Sequence, residues 1–144
     1  MSDFTTLGPG SYTLRAKGAS IDAAEDFSGE ALNFSIQHAQ KDSGESRTMW
    51  NGDVRSAKTV RDFDAVTIEH EYDLTSTGLY NLLQDNHGEV FTIVMTPKTG
   101  GATWEGDIYL SLPENLGAEE FGAVIKGPVT WKAVSTFTFT PATA

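Results

Sequence analysis

A chain of 144 residues is long enough for one domain around one hydrophobic core, and its 20 acidic against 10 basic residues give a formal net charge of −10. That balance opposes tight, general binding to phosphate backbones, which needs clustered cations. The absence of cysteine excludes a disulfide framework and a cysteine-rich zinc site. No apolar run is long enough for a signal peptide or a bilayer span, so a protein of the cytoplasm, or of a particle assembled there, is expected.

Residues 1–10 and 141–144 lack the periodicity of a core element and are expected to be loosely held, the first as an N-terminal arm. "SYTLRAKG" alternates Tyr12, Leu14 and Ala16 with Thr13, Arg15 and Lys17 and predicts a first strand. "EALNFSIQHA" sets Leu32, Phe34, Ile36 and His38 on one face and Ala31, Asn33, Ser35 and Gln37 on the other, one dry side and one wet, uncharged side. Residues 40–62 are polar and carry Trp50 followed by the turn signal Asn51-Gly52. A structureless connection of that length is unusual in a compact domain, which favours an extended hairpin with its tip near Asn51.

"AVTIEHEYDL" repeats the period-two pattern, with Val66, Ile68, His70, Tyr72 and Leu74 facing one way and Ala65, Thr67, Glu69, Glu71 and Asp73 the other. "STGLYNLLQDN" predicts the one helix, capped by Thr75 or Ser76, with Leu79, Leu82 and Leu83 as its apolar stripe and His87-Gly88 at its end. "EVFTIVMT", "ATWEGDIYLSL" and "GPVTWKAVSTFTFT" return to strands. Trp104, Gly106, Ile108, Leu110 and Leu112 share one face, as do Val129, Trp131 and Ala133, with Phe137 and Phe139 continuing the alternation. Strands at hairpin spacing plus one helix predict a mainly β fold, a β-sandwich or rolled barrel with the helix over one end or edge.

Glu69, His70, Glu71 and Asp73 have the residue types for metal or acid-base chemistry. Strand geometry argues against both, because His70 points away from its neighbours and same-side carboxylates stand about 7 Å apart. His38 and His70 fall on apolar faces and read as hydrogen-bonded core histidines, close together if their strands pair; His87 reads as a local cap. No nucleophile elbow, phosphate loop or dinucleotide fingerprint is present, so neither catalytic residues nor a cofactor is expected. Five of the ten basic residues, Lys41, Arg47, Arg55, Lys58 and Arg61, lie in the segment around Trp50. An aromatic among cations suits docking on an acidic surface of another copy.

The order of these segments, a long polar loop before "FDAVTIEHEYD", then "LYNLLQD", "TPKTGGATWEGDIYL" and "GPVTWKAVSTFTF", resembles the major tail tube proteins of long-tailed, non-contractile bacteriophages from about Ser11 to Thr140. The resemblance implies a single tail tube domain whose copies form hexameric rings stacked into a tube with an acidic lumen, through which double-stranded DNA passes without specific binding. It implies that residues 40–62 reach the neighbouring ring and that the N-terminal segment helps join subunits. It further implies tape-measure, terminator and baseplate or initiator proteins as partners, no membrane, and a place in the virion tail after assembly in the host cytoplasm. On that reading Asn33, Ser35, Gln37, Glu69, Glu71 and Asp73 face the lumen, since carboxylates keep a duplex off the wall where lysines would hold it. The competing readings are a terminator or baseplate ring of the same fold, and a carbohydrate-binding module with an exposed aromatic surface, for which only Trp50 among the tryptophans lies off an apolar face.

Overall fold

The computed structural model describes residues 7–42, 47–55 and 59–142. Ten strands are built from the alternating segments: β1 (Ser11–Ala16), β2 (Glu25–Asp26), β3 (Ala31–Asp42), β4 (Arg47–Thr48), β5 (Val54–Arg55), β6 (Thr59–Glu71), β7 (Val90–Thr96), β8 (Thr103–Tyr109), β9 (Lys126–Lys132) and β10 (Thr138–Thr140). One helix, α1 (Leu79–Asp85), lies between β6 and β7. The strands form a five-stranded sheet in the order β10-β8-β7-β1-β2, a three-stranded sheet β3-β6-β9 and a two-stranded β4-β5 ribbon. Every pairing in these sheets is antiparallel.

The inward faces of the two larger sheets supply the core. Tyr12, Leu14, Ile93, Met95 and Ile108 come from the five-stranded sheet, and Val66, Ile68, Val129 and Trp131 from the three-stranded one. Each such side chain contributes about 1.5–3 kcal/mol by leaving water. The sheets meet at one corner, where Ile108 bridges to Ala133, the Val134 N–H donates to the Asp107 carbonyl and the Trp131 indole donates to the Ser111 carbonyl. No ladder closes them into a barrel among the described residues, so the architecture is the sandwich rather than the rolled barrel.

Several local expectations are corrected. The register between β3 and β6 shifts between Ala31 and Asn33. This bulge turns Ala31 towards the core and leaves Leu32 48% exposed, whereas Phe34 and Ile36 pack inward as the alternation requires. β6 ends at Glu71, so Asp73 and Leu74 leave the sheet and Leu74 is exposed. Phe139 is also half exposed, its ring packed at a tilt against Trp104.

The helix starts three residues later than the sequence predicts, with Gly78 rather than Thr75 or Ser76 at its N-cap and no side-chain cap from that position. Its first N–H groups need an acceptor from elsewhere. Glu30 provides one: its carboxylate accepts from the Leu79 N–H at 3.0 Å and from the Asp73 N–H at 2.7 Å, tying the end of β6 to the start of α1. His87 caps nothing in the helix, its Nδ1 accepting instead from the Leu112 N–H.

Leu79 and Leu83 are fully buried, while Leu82 only flanks the core. Leu83→Ala is expected to cost roughly 2–5 kcal/mol through lost transfer energy and a cavity, and Leu82→Ala distinctly less. Urea unfolding of the two variants measures the difference, and equal losses would contradict this packing.

Candidate functional site

β6 is paired on both sides between Ala65 and Glu71, to β3 and to β9. Residues opposite one another in an antiparallel pair share a face. The outward face of the sheet therefore gathers Asn33, Ser35 and Gln37 from β3, Thr67, Glu69 and Glu71 from β6, and Lys126, Pro128, Thr130 and Lys132 from β9. Its groups are laced laterally. Thr67 and Thr130 share a hydroxyl hydrogen bond at 2.8 Å, the Gln37 amide donates to Ser35 at 3.0 Å, and the Asn33 amide reaches Glu69 at 3.5 Å.

Asp73 is not part of this surface. It sits in the turn after β6, exposed, with a carboxylate oxygen accepting from the Thr75 N–H. β9 also adds two cations that the first two strands lack: Lys126 stands opposite Glu71, and Lys132 opposite Ala65 with its ammonium 5.7 Å from the Phe63 ring. Thr130 and Lys132 alternate with Val129, Trp131 and Ala133, so the outward lysine was legible in the sequence. The sheet face is polar and locally balanced rather than uniformly acidic.

Beyond Ala65 the third strand ends, and β3 and β6 continue as a two-stranded ribbon, paired as far as Lys41 with Val60 and Asp42 with Thr59. β4 and β5 form a separate short hairpin in which Arg47 lies opposite Arg55. Its turn is closed by the Asn51 side chain on Asp53 and by Gly52, whose φ of 92° suits only glycine. Trp50 stands at this tip, fully exposed, with Val54 exposed beside it. Lys58 lies outside the described residues, as do residues 1–6 of the expected arm. Arg61 is not available for a neighbour in the way its charge suggests, because its guanidinium donates to Asp64 at 2.6 Å.

Asp64 is the polar centre that the sequence reading missed. Its side chain is fully buried and accepts from His38 Nδ1 at 2.8 Å, from Arg61, and from the Phe137 N–H at 2.7 Å. Burial alone would push this carboxyl up, but the His38 and Phe137 hydrogen bonds and the Arg61 charge outweigh it and hold the group below its ordinary value of 3.8. Its backbone continues the clamp, the Asp64 N–H donating to Ser135 and its carbonyl accepting from Ala133. With these donors in place the group fastens the base of the ribbon to the chain after β9; it is a joint.

The two histidines are not neighbours. His38 pairs with Asp64 near the middle of the β3-β6 ladder, and His70 with Ala31 at one end of it. His70 is fully buried and hydrogen bonds through Nε2 to the Tyr12 hydroxyl of the facing sheet at 2.5 Å, with Tyr72 and Trp131 around it. Burial lowers its pKa from 6.5 to about 4, with the Ile68 backbone opposing. Among the described residues no three His, Asp or Glu side chains stand close enough to hold a metal ion, and no helix is long and apolar enough to cross a membrane.

The two shifts separate on the pH axis. A histidine with a depressed folded pKa stays neutral in the fold while the unfolded chain takes up a proton, so its contribution erodes as pH falls from 6.5 to about 4. Asp64 contributes above its unfolded value and is lost only at pH below 3.8. Urea midpoints measured from pH 7 to pH 3 are expected to fall in both windows, and His70→Gln to flatten the upper one alone. An unchanged slope in that variant would remove His70 as the cause.

No protein-family model matches the chain, and no curated protein matches it. A solved chain from the tail of an empty GTA particle, computed with helical refinement and C6 symmetry, is similar in structure at a TM-score of 0.60 and 12% sequence identity. The match covers 90% of this chain and 94% of that one. The two chains thus share one fold over nearly all of their lengths.

Proposed function

We propose that this chain is a structural tail protein of a virion or virion-like particle, whose copies form hexameric rings that stack into a tube for passage of the genome. The observation that carries the reading is the shared fold over nearly the full length of both chains, the similar chain belonging to a six-fold helical tail. Two features support it independently. The three-stranded sheet exposes a broad polar face, and the β3-β6 ribbon projects past the third strand towards the segment that carries Trp50.

On this reading the face with Asn33, Ser35, Gln37, Glu69 and Glu71 lines the lumen. It offers a duplex hydroxyls, amides and carboxylates, with Lys126 opposite a carboxylate. With Glu69 and Glu71 against Lys126 and Lys132 the face does not concentrate positive charge, and the net charge of −10 adds long-range repulsion. Such a wall lets the duplex slide where a basic one would retain it. The hairpin with Arg47, Trp50 and Arg55, together with Lys41 and Lys58, makes the axial contact to the next ring, Arg61 serving at its root. Tape-measure, terminator and initiator proteins are the partners such a tube requires, and the place of action is the virion tail. A terminator or baseplate ring would use the same surfaces but stop after one layer. The carbohydrate-binding reading is weaker, since Trp131 is fully buried and Trp104 packs between Phe34 and Phe139.

Negative-stain microscopy of the purified protein across a concentration series tests the reading. Rings or tubes are expected, and a monodisperse small particle at every concentration would overturn it. Deleting residues 42–58 is expected to leave rings but abolish stacking, because the β3-β6 ladder below that point is untouched. Glu69→Lys, Glu71→Lys and Asp73→Lys combined are expected to leave assembly intact and confer salt-dependent retention of short duplex DNA. Tubes of this variant that retained no more DNA than the parent would place these residues on the outside.

A further inference from the structure

The three-stranded sheet has different flanks. Beside β3, a cleft of about 280 Å³ opens between the two sheets, lined by Leu7, Pro9, Tyr12, Leu32, Phe34 and Met95 among others. Leu32, turned out by the bulge, forms part of its wall and stays 48% exposed. The Lys98 side chain runs alongside Gly8 at the same cleft.

On the other flank, residues 113–125 lead from β8 to β9. The base of this loop is pinned to β9 by paired backbone hydrogen bonds between Gly117 and Lys126. Its tip is a tight turn closed by the Ala123 N–H on the Glu120 carbonyl, with Gly122 at a φ of 90° that a side chain would strain. This turn presents Phe121 with 107% of its surface exposed, between Glu120 and Gly122, while Leu116 and Val124 are exposed on the same loop. An aromatic held out by a built turn, with apolar neighbours and no contact of its own, is the composition of an interface anchor.

The two features lie at one level. Ala31 on the cleft side pairs with His70, and His70 pairs with Gly127, the residue after the loop's anchor. A knob on one flank and a hole on the opposite flank, in the same cross-strand row, is a heterologous pair whose repetition carries copies sideways along the sheet direction. The carboxylates of Glu119 and Glu120 beside the knob complement Lys98 at the hole. We propose that the cleft beside β3 receives Phe121 from a second copy of this chain and that this contact joins neighbours within a ring. The proposal rests on the ring reading above.

The chain has no cysteine, so engineered pairs report the contact directly, and both positions are exposed enough for substitution to spare the fold. Phe121→Cys with Leu32→Cys, treated with a short bismaleimide, is expected to give a ladder of covalent multimers, and each single variant none. Phe121→Ala is expected to raise the concentration needed for ring assembly by about tenfold or more with an unchanged unfolding midpoint. Rings in the micrographs without linkage between these positions would overturn the proposal while leaving the ring reading in place. Linkage of Trp50→Cys to Leu32→Cys instead would make the hairpin tip the occupant and also overturn it. Neither rings nor linkage would remove both.

Discussion

Everything in this molecule is organised by the two-sidedness of β6. Over 13 residues, more than twice the usual strand length, alternation sends Val66, Ile68 and His70 into the core and Thr67, Glu69 and Glu71 out to the polar face. A slip of one residue would exchange the two sets and bury the carboxylates at a cost no packing could repay. The register with β3 and β9 is therefore strongly specified. The same strand also outruns β9, and the projecting ribbon is its direct consequence.

Two polar contacts do what apolar packing alone does poorly. Aliphatic side chains tolerate small shifts between facing sheets, whereas a hydrogen bond lost in a dry interior leaves unsatisfied groups and is costly. The Tyr12 to His70 bond crosses from one sheet to the other at one end of β6. Asp64 fixes the middle of the strand, where the three-stranded part gives way to the ribbon and the chain leaves β9 to return towards β10. A buried carboxylate is unfavourable in itself, and it is tolerated here because three donors converge on it. Placed at the root of the ribbon, it holds rigid the part of the molecule from which the hairpin springs.

What the sequence made legible follows from which signals are local. Period-two alternation located β1, β3, β6 and β9 and most of their inward residues; Leu32 and His38, both expected on the dry face of β3, are exposed beside its two register shifts. Asn51-Gly52, another local signal, located a turn. The bulge at Ala31 was not legible, since it depends on how β3 meets β6 and leaves no mark on β3 alone. Glu30 lies 49 residues from the helix N–H it caps, so no local pattern could replace Thr75 and Ser76 with it. Asp64 carried no local signal beyond its charge; only the fold brought His38, Arg61 and Phe137 to it. The balanced charge of the outward face needed the order β3-β6-β9, which places Lys126 opposite Glu71 and Lys132 opposite Ala65 on the same face. Phe121 was overlooked because a single aromatic in a Gly- and Glu-rich stretch has no periodicity; only its exposure distinguishes it.

The flank formed by β3 bears on assembly from a different direction. An edge strand of 12 residues offers backbone donors and acceptors to any strand that approaches, and monomeric proteins shield such edges with proline, inward charges or a covering element. β9, the opposite edge, is partly shielded, touched by Gly117 near its start and with Ala133, just past its end, bridged to Ile108. β3 has neither proline nor a charged side chain before Lys41, and its outward residues Asn33, Ser35 and Gln37 are uncharged. Its two bulges interrupt the edge without removing it. For a protein acting alone this is an aggregation hazard with no compensation among the described residues. In a ring, where every flank faces the complementary flank of a neighbour, the same uncharged edge becomes a surface that closure consumes, and the absence of shielding is what such closure requires.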